Sequence, residues 1–173
     1  MAALRTIVVS LMMTLVLATP IVNAESAVEL DAIIHLSEDD LGIKGIAENP
    51  EKDKILIFGE DGYANIISSK NPESQVLLAA SDNQTMRDAD WHPGGGTALL
   101  VGEEGMILRF AADDYSLTQA GEKMNFGQTD LNAVAWNTAG SWAYVGGDDG
   151  WLWRVRAEGD GGLDSHVIEG RGE

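Results

Sequence analysis

Three stretches of this chain superimpose without gaps over about 25 residues each, and that self-similarity constrains the fold more than any other feature. Ile43 to Ile67 reads IKGIAENPEKDKILIFGEDGYANII, Met86 to Phe110 reads MRDADWHPGGGTALLVGEEGMILRF, and Leu131 to Val155 reads LNAVAWNTAGSWAYVGGDDGWLWRV. The second is offset from the first by 43 residues, and the third from the second by 45. In this register Trp91 matches Trp136, Pro50 matches Pro93, Gly59 matches Gly102 and Gly147, and Gly62 matches Gly105 and Gly150.

Each unit reads as three strands separated by turns, as in Leu131 to Trp136, Ser141 to Gly146 and Trp151 to Arg156. Asp61-Gly62, Glu104-Gly105 and Asp149-Gly150 each place an acidic residue before a glycine, which accepts the positive φ of a two-residue hairpin. A fourth, weaker strand is predicted after each unit, at Gln75 to Ala80, Ser116 to Ala120 and Ser165 to Glu169. Four antiparallel strands per period of this length predict an all-β chain of β-propeller blades. The expected segments are repeats at 43–85, 86–130 and 131–173, preceded at 25–42 by a linker with a short outer strand over Leu30 to Leu36.

On these residues the chain resembles the WD40-like (WD40/YVTN repeat-like) propeller superfamily. The resemblance rests on Leu131-x-x-Val134-x-Trp136, the strand end Val145-Gly146-Gly147, and Asp149-Gly150 before Trp151-Leu152-Trp153-Arg154-Val155, and it covers residues 43 to about 169. The Gly-His dipeptide of strict WD40 repeats is missing, and Arg109 or Arg154 stands near where their closing Trp-Asp falls. The resemblance implies a ring of blades, and three blades fall short of one. Two completions are open: further blades of a longer chain, or a second copy of this one.

The first 24 residues are a separate unit, with Arg5, an apolar run from Ile7 to Leu17, Pro20, and the small-residue end Val22-Asn23-Ala24. They predict a secretory signal peptide cleaved after Ala24, so the membrane enters only through export. The chain has no cysteine, so export brings no disulfide framework. The formal net charge is −17, and no Lys/Arg cluster offers the basic footprint that nucleic acid requires.

Candidate site residues lie where the repeats differ. Asp88 and Asp90 stand where the other units carry Gly45 and Ala47, or Ala133 and Ala135. Two carboxylates at i and i+2 share one face of a strand, which suits cation binding or an acid/base pair; the alternative is structural, with both solvated or paired to Arg87 or Lys44. Lys44, Arg87 and Asn132 share one polar position at the start of the first strand, a ring of donors for an acidic or carbonyl group, or a cover for the strand end. Glu60-Asp61, Glu103-Glu104 and Asp148-Asp149 recur, and turn chemistry accounts for one member of each pair. Trp91 and Trp136 read as core. Trp142, Trp151 and Trp153 suit either packing or stacking on a sugar or partner. His35, His92 and His166 form no metal triad, and no cofactor motif is present. Asn83-Gln84-Thr85 is a glycosylation sequon. The expectation is an exported, non-catalytic scaffold for protein or glycan. The alternatives are part of a propeller enzyme of glycoside hydrolase or lyase type, using Asp88 and Asp90, and an assembly factor for a membrane complex.

Overall fold

The computed structural model describes residues 34–37, 39–78, 83–121 and 126–157, with the backbone of 163–167. These form three four-stranded antiparallel sheets, each with its strands in chain order. The first holds β1 (Ile43–Glu48), β2 (Lys54–Gly59), β3 (Ala64–Ser68) and β4 (Gln75–Leu77). The second holds β5 (Met86–Trp91), β6 (Thr97–Gly102), β7 (Ile107–Ala111) and β8 (Ser116–Gln119). The third holds β9 (Leu131–Trp136), β10 (Ala143–Gly147), β11 (Leu152–Ala157) and β12 (Leu163–Val167). The repeat is therefore a blade, and the three blades make an incomplete propeller.

The acidic-glycine turns join the second and third strands of each blade. Both central residues have positive φ: Asp61 51° and Gly62 71°, Glu104 52° and Gly105 75°, Asp149 57° and Gly150 72°. That is the primed turn whose twist matches the flanking strands. Each is closed by an N–H to O=C bond across it: Tyr63 to Glu60 at 2.8 Å, Met106 to Glu103 at 2.9 Å, and Trp151 to Asp148 at 3.2 Å.

Five strands differ from their expected bounds: β4 ends at Leu77 and β8 at Gln119, β11 runs over Leu152–Ala157, and β10 and β12 start elsewhere. β10 starts at Ala143 instead of Ser141, because Asn137 Oδ1 accepts the N–H groups of Ser141 and Trp142 and keeps both in the turn. β12 starts at Leu163, with Leu163 facing Ala157 across the ladder. Residues 34–36 run as coil, and the rest of the strand expected at Leu30 to Leu36 lies outside the described residues, as does the signal peptide.

Two apolar cores lie between the blades. Leu56, Phe58, Ala64 and Ile66 of the first blade bury against Met86, Trp91, Leu100, Leu108 and Phe110 of the second. Leu99, Val101 and Ile107 of the second bury against Leu131, Val134, Val145, Trp153 and Val155 of the third. Trp91 belongs to the first core, edge-on to Phe110, and Trp136 packs half-buried against the second. Trp151 and Trp153 stack on each other, and Arg154 lies 3.9 Å over the Trp142 ring. Among the described residues no helix is long and apolar enough to cross a membrane.

Candidate functional site

Lys44, Arg87 and Asn132 share a structural cause as well as a repeat position. Each is the extra residue of a β-bulge at the start of the inner strand. The pairing jumps from Ile43↔Gly59 to Gly45↔Phe58, from Met86↔Gly102 to Asp88↔Val101, and from Leu131↔Gly147 to Ala133↔Gly146. A bulged residue leaves the ladder and re-aims its side chain. In all three blades that side chain meets the first acid of its own blade's turn. Lys44 pairs with Glu60, Arg87 Nη2 lies 3.5 Å from Glu103 Oε1, and Asn132 Nδ2 donates to Asp148 at 2.7 Å. The recurrence of Glu60, Glu103 and Asp148 thus has a structural reason besides turn formation.

Arg87 also crosses to the third blade. It donates to Asp130 Oδ2 and to Asn132 Oδ1, both at 2.7 Å. Asp130 in turn accepts the Glu104 N–H at 3.0 Å. Asp130 was not singled out from the sequence, because its repeat counterparts are Gly42 and Thr85 and no shared side-chain chemistry marks the position. What the three share is a backbone carbonyl that accepts the N–H of Glu60, Glu103 or Asp148. Glu103 is held ionised by its surroundings: the Thr85 N–H donates to its carboxylate at 3.2 Å, and Arg87 lies beside it. Together these lower its pKa, the Thr85 backbone contact most.

Asp88 and Asp90 reach the neighbouring blade. Asp88 Oδ2 accepts the Val134 N–H at 2.8 Å, and Asp90 Oδ2 accepts the Trp136 N–H at 2.7 Å. Both side chains lie on one face of β5, as their spacing requires, and that face meets the edge of β9. Both carboxylates thus reach the β9 backbone rather than Arg87 or Lys44. Two further links across blades escaped sequence reading. Trp91 Nε1 donates to the Ala47 carbonyl at 3.0 Å. His92 Nδ1 accepts the Gly94 N–H at 2.9 Å, which leaves Nε2 to donate to the Gly140 carbonyl at 3.0 Å. The His92 ring stands edge-on to Trp136.

At the end of the blades where the bulges and acidic turns lie, Glu60, Asp61, Glu104, Asp148 and Asp149 are exposed. A cleft of about 430 Å³ opens there beside the first blade, lined by Asp40, Leu41, Glu60, Asp61, Tyr63 and Leu77 among others. Among the described residues no group of three or more His, Cys, Asp or Glu is placed to hold a metal ion.

No family model matches the sequence, and no curated protein matches it. Solved structures do match in fold. An auxiliary nutrient binding protein from Bacteroides thetaiotaomicron VPI-5482 aligns with a TM-score of 0.56 and 15% identity, over 75% of this chain and 32% of that one. The periplasmic gluconolactonase of Pseudomonas aeruginosa aligns with a TM-score of 0.55 and 15% identity, over 75% of this chain and 42% of that one. An auxiliary nutrient binding protein from Bacteroides ovatus ATCC 8483 aligns with a TM-score of 0.58 and 14% identity, over 74% of this chain and 32% of that one. The chain thus spans less than half the length of these structures, with which it shares the propeller-like fold.

Proposed function

We propose that the chain supplies blades of an exported, non-catalytic WD40-like propeller that binds protein or glycan at the bulge end. The observation that carries this reading is a division among carboxylates. Asp88 and Asp90 hold the β9 backbone, whereas Glu60, Asp61, Glu104, Asp148 and Asp149 face solvent. The pair best spaced for acid/base work is turned to the neighbouring blade's backbone, and the exposed carboxylates, with Glu60 and Asp148 held by Lys44 and Asn132, form an acidic rim open to a partner. Such a rim favours partners that bring cationic or hydrogen-bond-donating groups. Lys44 and Asn132 take part by fixing the rim acids Glu60 and Asp148, and Arg87 by holding Glu103 and Asp130 beside them. Tyr63 adds a ring in the adjoining cleft, suited to stacking on a sugar or an apolar side chain. Residues 1–24 supply the export signal, and the periplasmic setting of the gluconolactonase above agrees with an extracytoplasmic location.

The test is calorimetric titration of the purified chain with a lysine-rich peptide and with neutral oligosaccharides, beside an assay for gluconolactone hydrolysis. Binding without turnover, weakened by Asp61→Asn and Asp149→Asn, is expected. Lactone hydrolysis that Asp90→Asn abolishes in a still-folded chain overturns the non-catalytic reading in favour of an enzyme.

A further inference from the structure

We propose that the cleft between the first and second blades, at the end opposite the acidic turns, is a binding site for a six-carbon sugar acid. A cavity of about 260 Å³ opens there. Strand alternation explains how it is built. Leu56, Phe58, Ala64 and Ile66 face the second blade, so Lys54 and Ser68, two residues along β2 and β3, face it as well. Val76 pairs with Ile66 and carries that face onto β4. The β3–β4 loop adds Lys70 and Ser74, and Tyr115 reaches in from the β7–β8 turn of the second blade. The volume lies below the roughly 300–1,000 Å³ of sites for drug-sized ligands, which suits a single sugar ring.

The charge of the lining selects an anion. Two lysines meet here in a chain with 11 Lys and Arg against 28 Asp and Glu. The acid in the lining, Asp53, accepts Asn49 Nδ2 at 2.7 Å and Lys54 Nζ at 3.1 and 3.2 Å. One carboxylate against two ammonium groups leaves a positive surplus. Ser68 Oγ accepts the Asn71 N–H at 3.3 Å, and its proton, like the Ser74 hydroxyl, can serve a ligand hydroxyl. The second-to-third interface does not repeat this chemistry, since Thr97 and Ala111 stand where Lys54 and Ser68 do.

Tyr115 is the independent sign of a ligand. It has φ +57°, and among the described residues it is the one aromatic side chain in the left-handed region. That conformation favours glycine or asparagine and disfavours a bulky residue, so the turn between Ala111 and Ser116 gives no reason for tyrosine. Its ring makes a tilted contact with Phe110 at 6.4 Å, which still leaves 42% of the residue exposed. A strained residue holding a ring open over a cationic cavity has the character of a ligand clamp. The ring can stack on the C–H face of a sugar while a lysine meets its carboxylate. The first blade's acidic turn lies at the other end of β2, so this site can be tested independently of the rim.

The test is calorimetric titration of the purified chain with sodium glucuronate, glucose and inorganic phosphate. Glucuronate should bind about tenfold more tightly than glucose, which lacks the carboxylate, or phosphate, which lacks the ring. Lys70→Gln and Tyr115→Gly should each weaken glucuronate binding about tenfold, and Asp61→Asn at the bulge end should leave it unchanged. Tyr115→Gly also relieves the left-handed strain, so its thermal midpoint should equal or exceed that of the wild type, whereas a tyrosine that only covered Phe110 would lower it on removal. A wild type that does not bind glucuronate overturns the proposal. So does equal affinity for glucose or for phosphate, and so does glucuronate binding that survives either variant unchanged.

Discussion

The Asp90 carboxylate accepts the backbone N–H of Trp136 at 2.7 Å, one blade away. Asp88 makes the same contact with Val134, so two side chains of β5 serve as acceptors for the free edge of β9. An inner strand pairs on one side only, and the N–H groups of its other edge need acceptors from elsewhere. The second blade alone has carboxylates at these positions. The first-to-second interface instead relies on the Trp91 indole and the Ala47 carbonyl, which is why the repeats differ there.

Asp90→Ala leaves the half-buried Trp136 N–H without its acceptor, which costs about 1–3 kcal/mol. Asp90→Asn keeps an acceptor oxygen and loses the charge assistance, so it should cost less, about 1 kcal/mol. Urea denaturation monitored by tryptophan fluorescence checks both: the midpoint should fall in the order wild type, Asn, Ala, with the slope unchanged. An Ala variant as stable as wild type removes the structural role argued for this carboxylate.

The blade was legible in the sequence because its signals are local. Acidic-glycine turns fix both central φ angles, and the repeat carries one blade's strands onto the next, so twelve strands were expected from the repeat and its turns. The deviations at Asp88 and Asp90 were equally visible, but their purpose was not. An acceptor for a backbone N–H one blade away leaves no mark in the partner's sequence, since Val134 and Trp136 donate through groups every residue has. The bulge was hidden for a related reason. Lys44, Arg87 and Asn132 share a position but neither charge nor shape, and only strand pairing shows that each is the extra residue. Asp130 had no signal beyond its place before β9.

Gly140 sits at φ +69°, and a Cβ there would stand 2.4 Å from His92 Nε2. Gly140→Ala therefore combines a left-handed backbone penalty of about 1–2 kcal/mol with displacement of the imidazole from the Gly140 carbonyl and from Trp136. In a His92→Ala background the steric part vanishes and the backbone part stays, so the cost of Gly140→Ala should fall by roughly half. Thermal denaturation of the four-member cycle measures this coupling. Equal cost in both backgrounds is the result that contradicts it.

Arg87 and Asp130 form the bidentate-capable contact between the second and third blades, at 2.7 Å and about a third exposed. Solvent screening limits the pair to about 0.5–1 kcal/mol. Arg87→Lys keeps the charge but lacks the fork that reaches Asp130 and Asn132 together, so it should lose most of the coupling that a double-mutant cycle with Asp130→Ala reveals. Raising the salt concentration should shrink the wild-type coupling further. Full coupling in the Lys variant would show that charge alone suffices.

Glu103 links acidity to the bulge end of the second blade. The Thr85 N–H, and then the Thr85 hydroxyl and Arg87, hold its carboxylate below the ordinary glutamate value of 4.5. Because the folded state binds that proton less readily than the unfolded chain, Glu103 contributes stability above 4.5 and loses it as pH falls through the depressed folded value. Asp53 and Asp114 are also lowered, by hydrogen bonds from Asn49 and Ser116 respectively, so acid should weaken the fold at all three places. Glu103→Gln should flatten part of the decline below pH 4.5, leaving the shares of Asp53 and Asp114. Thr85→Ala should change the decline little, since it keeps the backbone N–H, the largest cause of the shift. Denaturant midpoints measured from pH 6 to pH 3 for wild type and both variants test the assignment. A Thr85→Ala profile that matches Glu103→Gln would move the dominant contact from the backbone to the hydroxyl.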